Sequence, residues 1–155
     1  MAAAYQDSAP AAEGAVQYAG FWARFGALLI DSLLLGIVGA ILGTIIGVVL
    51  GTAGATETAI RNLSSFLGFL LGIAYYVVME SSTRQATFGK LALGLKVTDM
   101  AGARITMGTA AIRYVGRFLS ALILLIGFIM VAFTPRKQAL HDMIAKTLVV
   151  KQPKP

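Results

Sequence analysis

From Phe25 to Leu50 the chain runs for 26 residues with a single charged side chain, Asp31. A helix needs about 20 predominantly apolar residues to cross the ~30 Å hydrocarbon core of a bilayer. This run is therefore long enough to cross with tilt or to protrude. Phe21, Trp22 and Arg24 stand before it, and aromatic and cationic side chains in that position suit the headgroup layer. The whole chain of 155 residues is 57% hydrophobic and 13% charged. A soluble domain carries about a quarter charged residues, and one of this size keeps much of its surface wet. The expected solvent for the excess apolar surface is lipid.

Two further apolar runs follow. Leu63 to Met79 has 17 residues, with Tyr75 and Tyr76 near its end and Glu80 closing it. Phe118 to Phe133 has 16, rising from a basic amphipathic lead-in so that the third apolar segment covers about 112–133, and Pro135 stops it. A continuous 16-residue helix is ~24 Å long, short of the core, and Gly127 eases a bend. The pattern predicts an all-α membrane protein: spans at about 25–50 and 63–79, a third bent or re-entrant helical segment, and a small cytoplasmic β element. A full third crossing is the alternative. Gly51 to Asn62 reads as a short polar connection. Leu91, Leu93, Leu95 and Val97 alternate with smaller or polar residues at strand period, best over Leu95 to Asp99. Leu148 to Val150 is the partner expected for Leu95 to Val97. Asp99 to Gly102 reads as a turn, and Thr87 and Thr106 as helix caps. Residues 1–20 read as a disordered cytoplasmic tail, 21–151 as one membrane domain and 152–155 as a second tail.

Charge placement gives the topology. Arg84, Lys90, Lys96, Arg104, Arg113 and Arg117 lie between the second and third runs, whereas the connection after the first holds only Arg61. The positive-inside rule puts the long connection and the N-terminus in the cytoplasm of a multi-pass protein of the cytoplasmic membrane. Arg136, Lys137, Lys146, Lys151 and Lys154 lie outside if the third run crosses, and inside if it returns. The basic residues flank apolar segments, so the net charge of +6 points to topology and anionic lipid headgroups rather than nucleic acid. With no cysteine and one histidine, His141, thiolate and multi-histidine metal sites are excluded and no cofactor is expected. Thr87-Phe-Gly-Lys90 lacks the frame of a phosphate loop.

Asp31 is the sharpest functional signal. A carboxylate about two turns inside a span, roughly 10 Å past Arg24, costs at least a few kcal/mol unless it is paired or protonated. It is either a functional group or one member of a structural ion pair. Arg24 and Asp31 share a helix face but stand too far apart for a direct pair. The expected partners are Asp142 for Arg24, and Arg117 or Arg113 for Asp31, with exchange of the Arg24 and Asp142 charges rescuing either single loss. His141 beside Asp142 suits a proton relay, since histidine titrates near neutrality. A lone histidine at an interface is more often a hydrogen-bonded structural residue.

An Arg at the mouth of the first span, an Asp inside it and an Asp after the last apolar run resemble the RDD family. The match is F-W-A-R-F-G-A-L-L-I-D with Arg24 and Asp31, and A-L-H-D-M-I-A-K-T-L-V-V with Asp142. T-F-G-K-L-A-L-G-L-K-V-T-D and I-R-Y-V-G-R also resemble family segments, so the likeness runs from about Tyr18 to Lys151. A transport role has been suggested for that family, and the resemblance implies no more. Lys146 departs from it, standing where a small residue, usually Gly, is expected.

Gly39, Gly43, Gly47 and Gly51 recur every four residues, and Gly68 and Gly72 repeat the spacing on the second run. Such stripes let helices approach closely in lipid, either within the chain or between copies of it. Two functional readings follow: ion- or proton-coupled transport through the Arg24, Asp31, Asp142, Arg113 and Arg117 cluster, or a non-catalytic scaffold that assembles with another membrane protein. No nucleophile with a base, carboxylate pair or metal cluster marks an enzyme.

Overall fold

The computed structural model describes residues 16–122 and 130–152. Helix α1 spans Phe21–Thr52 and α2 spans Glu57–Ser81. Both are long and apolar enough to cross a membrane. At 32 residues α1 is ~48 Å long, well beyond the ~30 Å core. Both helices exceed the apolar runs that predict them, and the polar connection expected over Gly51 to Asn62 shrinks to Ala53–Thr56. The reason is local. Thr56 caps α2 by accepting from the Ala59 amide at 3.3 Å, and Glu57 in the first turn favours the positive end of the helix dipole.

After α2 the chain folds into a compact module. Helix α3, Phe88–Ala92, is capped by Thr87. It absorbs Leu91 from the stretch with strand period, and Gly94, at φ +64°, turns the chain into β1, Leu95–Asp99. The Asp99 carboxylate accepts from the amides of Ala101 and Ala103 and closes the expected turn, with Gly102 at φ +83°. Helix α4, Met107–Leu122, begins at Thr106, whose hydroxyl accepts from the Thr109 amide. A 3₁₀ turn at Met130–Ala132, helix α5 at Leu140–Ile144 and strand β2 at Thr147–Lys151 complete the order. Gly127 and the bend expected there lie outside the described residues.

β1 and β2 are antiparallel, with Val97 opposite Val149 and Lys96 opposite Val150. The sheet is only two strands wide, and bare edges invite foreign pairing. Here both are covered. Gln85 exchanges backbone hydrogen bonds with Val97 through its amide side chain and carbonyl. On the other edge Tyr18 bridges Val150, and the Ala19 amide donates to the Val149 carbonyl at 2.8 Å. Residues Gln17 to Ala19 therefore belong to the sheet and not to a disordered tail, because β2 offers them an unpaired edge. Residues 1–15 and 153–155 lie outside the described residues. Leu95, Val97 and Val149 point into a core shared with Ala19, Ala27, Val77, Ile105 and Ala110.

Lys146 adopts φ +51°, the left-handed conformation that follows a helix C-terminus. A side chain there costs roughly 1–2 kcal/mol relative to glycine, which gives a physical reason for expecting a small residue at this position.

The glycine stripe divides. A Cβ on Gly47 or Gly51 would meet Ile60 of α2 at 3.9 Å, and one on Gly72 would meet the Tyr114 hydroxyl at 3.5 Å. A Cβ on Gly39, Gly43 or Gly68 would meet nothing within 4 Å outside its own helix among the described residues. Packing of α1 against α2 thus accounts for only one end of the stripe.

The sheet also fixes connectivity. Residues before α1, residues after α2 and the last strand meet in one sheet, which puts the two ends of the described chain side by side. Reporters fused at Met1 and at Pro155 are expected to lie on the same side of the membrane. Activity on opposite sides would contradict the β1–β2 pairing.

Candidate functional site

The ends of α1 and α2 nearest the sheet carry two polar centres. In the first, Asp31 is 1% exposed. Tyr75 from α2 donates its hydroxyl at 2.6 Å, Thr87 donates at 2.7 Å, and the Gly89 amide donates at 2.7 Å. Tyr75 in turn accepts from the Phe88 amide. Three donors replace the water that a carboxylate loses on burial. Gly89 is required by space: a Cβ there would lie 2.9 Å from the Asp31 carboxyl carbon and run into the Ala27 carbonyl.

This corrects the pairing expected of Asp31. Neither Arg113 nor Arg117 reaches it, because both are engaged by Glu80. Among the described residues no Lys or Arg forms an ion pair with Asp31.

The second centre is an ion network. Glu80, 1% exposed, meets Lys90 Nζ at 2.9 Å, Arg113 Nε at 3.0 Å, and Arg117. Arg113 Nε lies close to the carboxylate yet off the direction a hydrogen bond needs, so that contact is an ion pair. Arg113, 1% exposed, continues to Asp142 Oδ1 at 2.5 Å and donates to the Thr147 hydroxyl at 2.6 Å. Asp142 also pairs with Arg24 and accepts from the Ala139 amide at 3.1 Å. Arg24 spends its remaining nitrogens on the carbonyls of Ala19 and Lys137. The Arg117 guanidinium lies over the Tyr76 ring at 4.2 Å, a cation–π contact.

The structure therefore joins Arg24, Asp142, Arg113 and Arg117, and sets Asp31 apart in its own cage. Thr87 and Lys90 link the centres, since Lys90 Nζ lies 3.5 Å from the Thr87 hydroxyl. Asp142 serves two arginines, so it is not a private partner of Arg24. Exchanging the Arg24 and Asp142 charges would set an arginine against Arg113, which removes the basis for the expected rescue. Sequence reasoning missed Glu80, Tyr75, Thr87, Gly89 and Lys90. The available signal was Glu80 itself, a lone acid between an apolar run and a long basic connection.

Burial alone would raise the Asp142 carboxyl, but Arg113 and Arg24 beside it outweigh this and hold it well below its usual range. Burial lowers the Lys90 ammonium to about 8, against the opposing pull of Glu80. Burial also lowers His141 to about 3, Asp142 opposing while Arg113, Arg117 and Arg24 add to the fall. His141 is thus neutral near pH 7, with Nδ1 3.4 Å from the Ser120 hydroxyl.

A sequence model of the RDD family matches residues 18–146. The Bacillus subtilis protein YxaI is 38% identical over 147 residues, covering 85% of this chain and 96% of that one. The membrane protein YteJ of the same organism is 35% identical over 137 residues, covering 87% and 82%. RP437 of Rickettsia prowazekii is 31% identical over 91 residues, covering 58% and 50%. No solved structure matches.

The histidine gives a signed pH dependence. In the unfolded chain His141 takes up a proton near pH 6.5, whereas in the fold it does so only near 3. Stability is therefore full above pH 6.5 and falls as the pH drops below it, by about 2 kcal/mol at pH 5. Thermal unfolding in detergent at pH 7 and pH 5 should show this loss, and His141→Gln should flatten it. An unchanged slope in the variant would contradict the assignment.

Proposed function

The chain belongs to the RDD family, and we propose that it acts as a non-catalytic membrane scaffold: two crossing helices that hold a rigid, cationic module at the cytoplasmic face for assembly with a membrane partner. The observation that carries this reading is saturation. Both carboxylates of the ion network are held by two or more cations, and Asp31 by three neutral donors. Past Asp31, α1 has no charged residue and no buried one. Thr44, midway along, gives its hydroxyl to its own helix at Ala40. A translocation route needs polar groups through the depth of the bilayer, and among the described residues the buried charged ones gather at one end.

That end carries most of the Lys and Arg residues, whereas the α1–α2 connection is followed only by Arg61. The positive-inside rule then supports a cytoplasmic module with both termini inside. The bare Gly39, Gly43 and Gly68 leave room for a further helix, from a second copy or another protein.

One observation favours the second reading, ion- or proton-coupled transport. Asp31 keeps a carboxylate with only neutral partners, as an ion-binding acid would. Purified protein in liposomes under a pH or sodium gradient separates the two. The scaffold reading predicts no flux above protein-free liposomes. Flux that Asp31→Asn abolishes would overturn it in favour of transport.

A further inference from the structure

A cavity of about 320 Å³ opens between α1, α4 and the segment leading into α5. Its walls are apolar: Phe21, Phe25 and Leu28 from α1 face Val131 and Ala139. Its floor is bordered by four cations, Arg24, Lys90, Arg113 and Arg117, and one carboxylate, Asp31; of these Arg117 and Arg24 are the most exposed, at 17% and 12%. His141 and Tyr76 complete the polar lining. Counting the acids behind the floor, four cations face three carboxylates, Asp31, Glu80 and Asp142, so one positive charge remains. A buried excess of charge calls for a counterion.

The cations differ in how fully they are used. Arg24 and Lys90 give donors to two or more partners each, and Arg113, 1% exposed, forms ion pairs with both Glu80 and Asp142 and donates to Thr147. Arg117 gives only Nη2, to Glu80. Its side chain is 17% exposed, and its Nε and Nη1 have no hydrogen-bond partner among the described residues. A guanidinium fork with two unused nitrogens is suited to a phosphate oxygen. Phe25 and Leu28 are 41% and 44% exposed, so the cavity opens beside the apolar flank of α1.

We propose that this cavity is a binding site for one anionic phospholipid, with its phosphate at Arg117 over the cationic floor and an acyl chain between Phe25, Leu28 and Val131. Apolar walls next to a charged floor match an amphiphile, whereas a free anion gains nothing from them. The site rests on the membrane placement above and is independent of whether the protein is a scaffold or a transporter.

The test uses the full chain purified in neutral detergent, with native mass spectrometry and thermal unfolding read together. Dioleoylphosphatidylglycerol, dioleoylphosphatidylcholine and inorganic phosphate are the probes. One phosphatidylglycerol should bind per chain, at least tenfold more tightly than phosphatidylcholine. Arg117→Gln should weaken it tenfold or more. Leu28→Trp, which adds bulk to the apolar wall and removes no member of the ion network, should do the same while leaving the lipid-free unfolding temperature in place. Equal binding of the two lipids, or full phosphatidylglycerol binding by Leu28→Trp, would overturn the proposal. Equal stabilisation by inorganic phosphate would replace the lipid with a free anion.

Discussion

Arg113 sits between Glu80 and Asp142, and the rest of the fold is organised around that bridge. It lies on α4, while its two carboxylates come from the end of α2 and from α5, and its hydrogen bond to Thr147 reaches β2. Arg24 brings α1 to the same acid, and Lys90 brings α3 to the other. Five helices and a strand are thus tied by charges that have little access to water. Taking such groups out of water costs several kcal/mol per ion. The arrangement holds only because each carboxylate has more than one cation and the arginines find further acceptors. Removing a carboxylate leaves buried cations short of a partner.

That network supplies what the spans lack. Lipid is as apolar as leucine, so two helices in a bilayer gain little from the hydrophobic effect. Beyond Asp31, Gly47 and Gly51 of α1 lie close to Ile60 of α2. Their orientation is set instead at the sheet end, where Asp31 is caged by residues from α2 and from the start of α3. Past Asp31, α1 has no buried residue among those described, which leaves its apolar faces open to lipid or to another helix.

The spans, the caps at Thr87 and Thr106 and the β1–β2 pairing were legible in the sequence because each rests on local periodicity or on a short side-chain rule. Arg24 with Asp142 was legible because both stand at the mouths of apolar runs. The partners of Asp31 were not. They are a tyrosine 44 residues away and the cap hydroxyl and first-turn amide of α3, 56 and 58 residues away, and neutral donors leave no charge pattern to find. Reading charge against charge assigned Asp31 an arginine, whereas Glu80, taken as the end of a run, is where Arg113, Arg117 and Lys90 converge. The attachment of Gln17 to Ala19 was hidden for a similar reason, since a strand edge recruits backbone and is indifferent to side chains.

The most direct measurement is the unfolding free energy in detergent of the Glu80→Gln protein against the unchanged chain. If buried charges hold the helices to the sheet, loss of this one carboxylate strands Lys90 and Arg117 and leaves Arg113 with Asp142 alone. The stability should then fall by about 3–5 kcal/mol. A fall below about 1 kcal/mol, the worth of an exposed ion pair, would contradict the account.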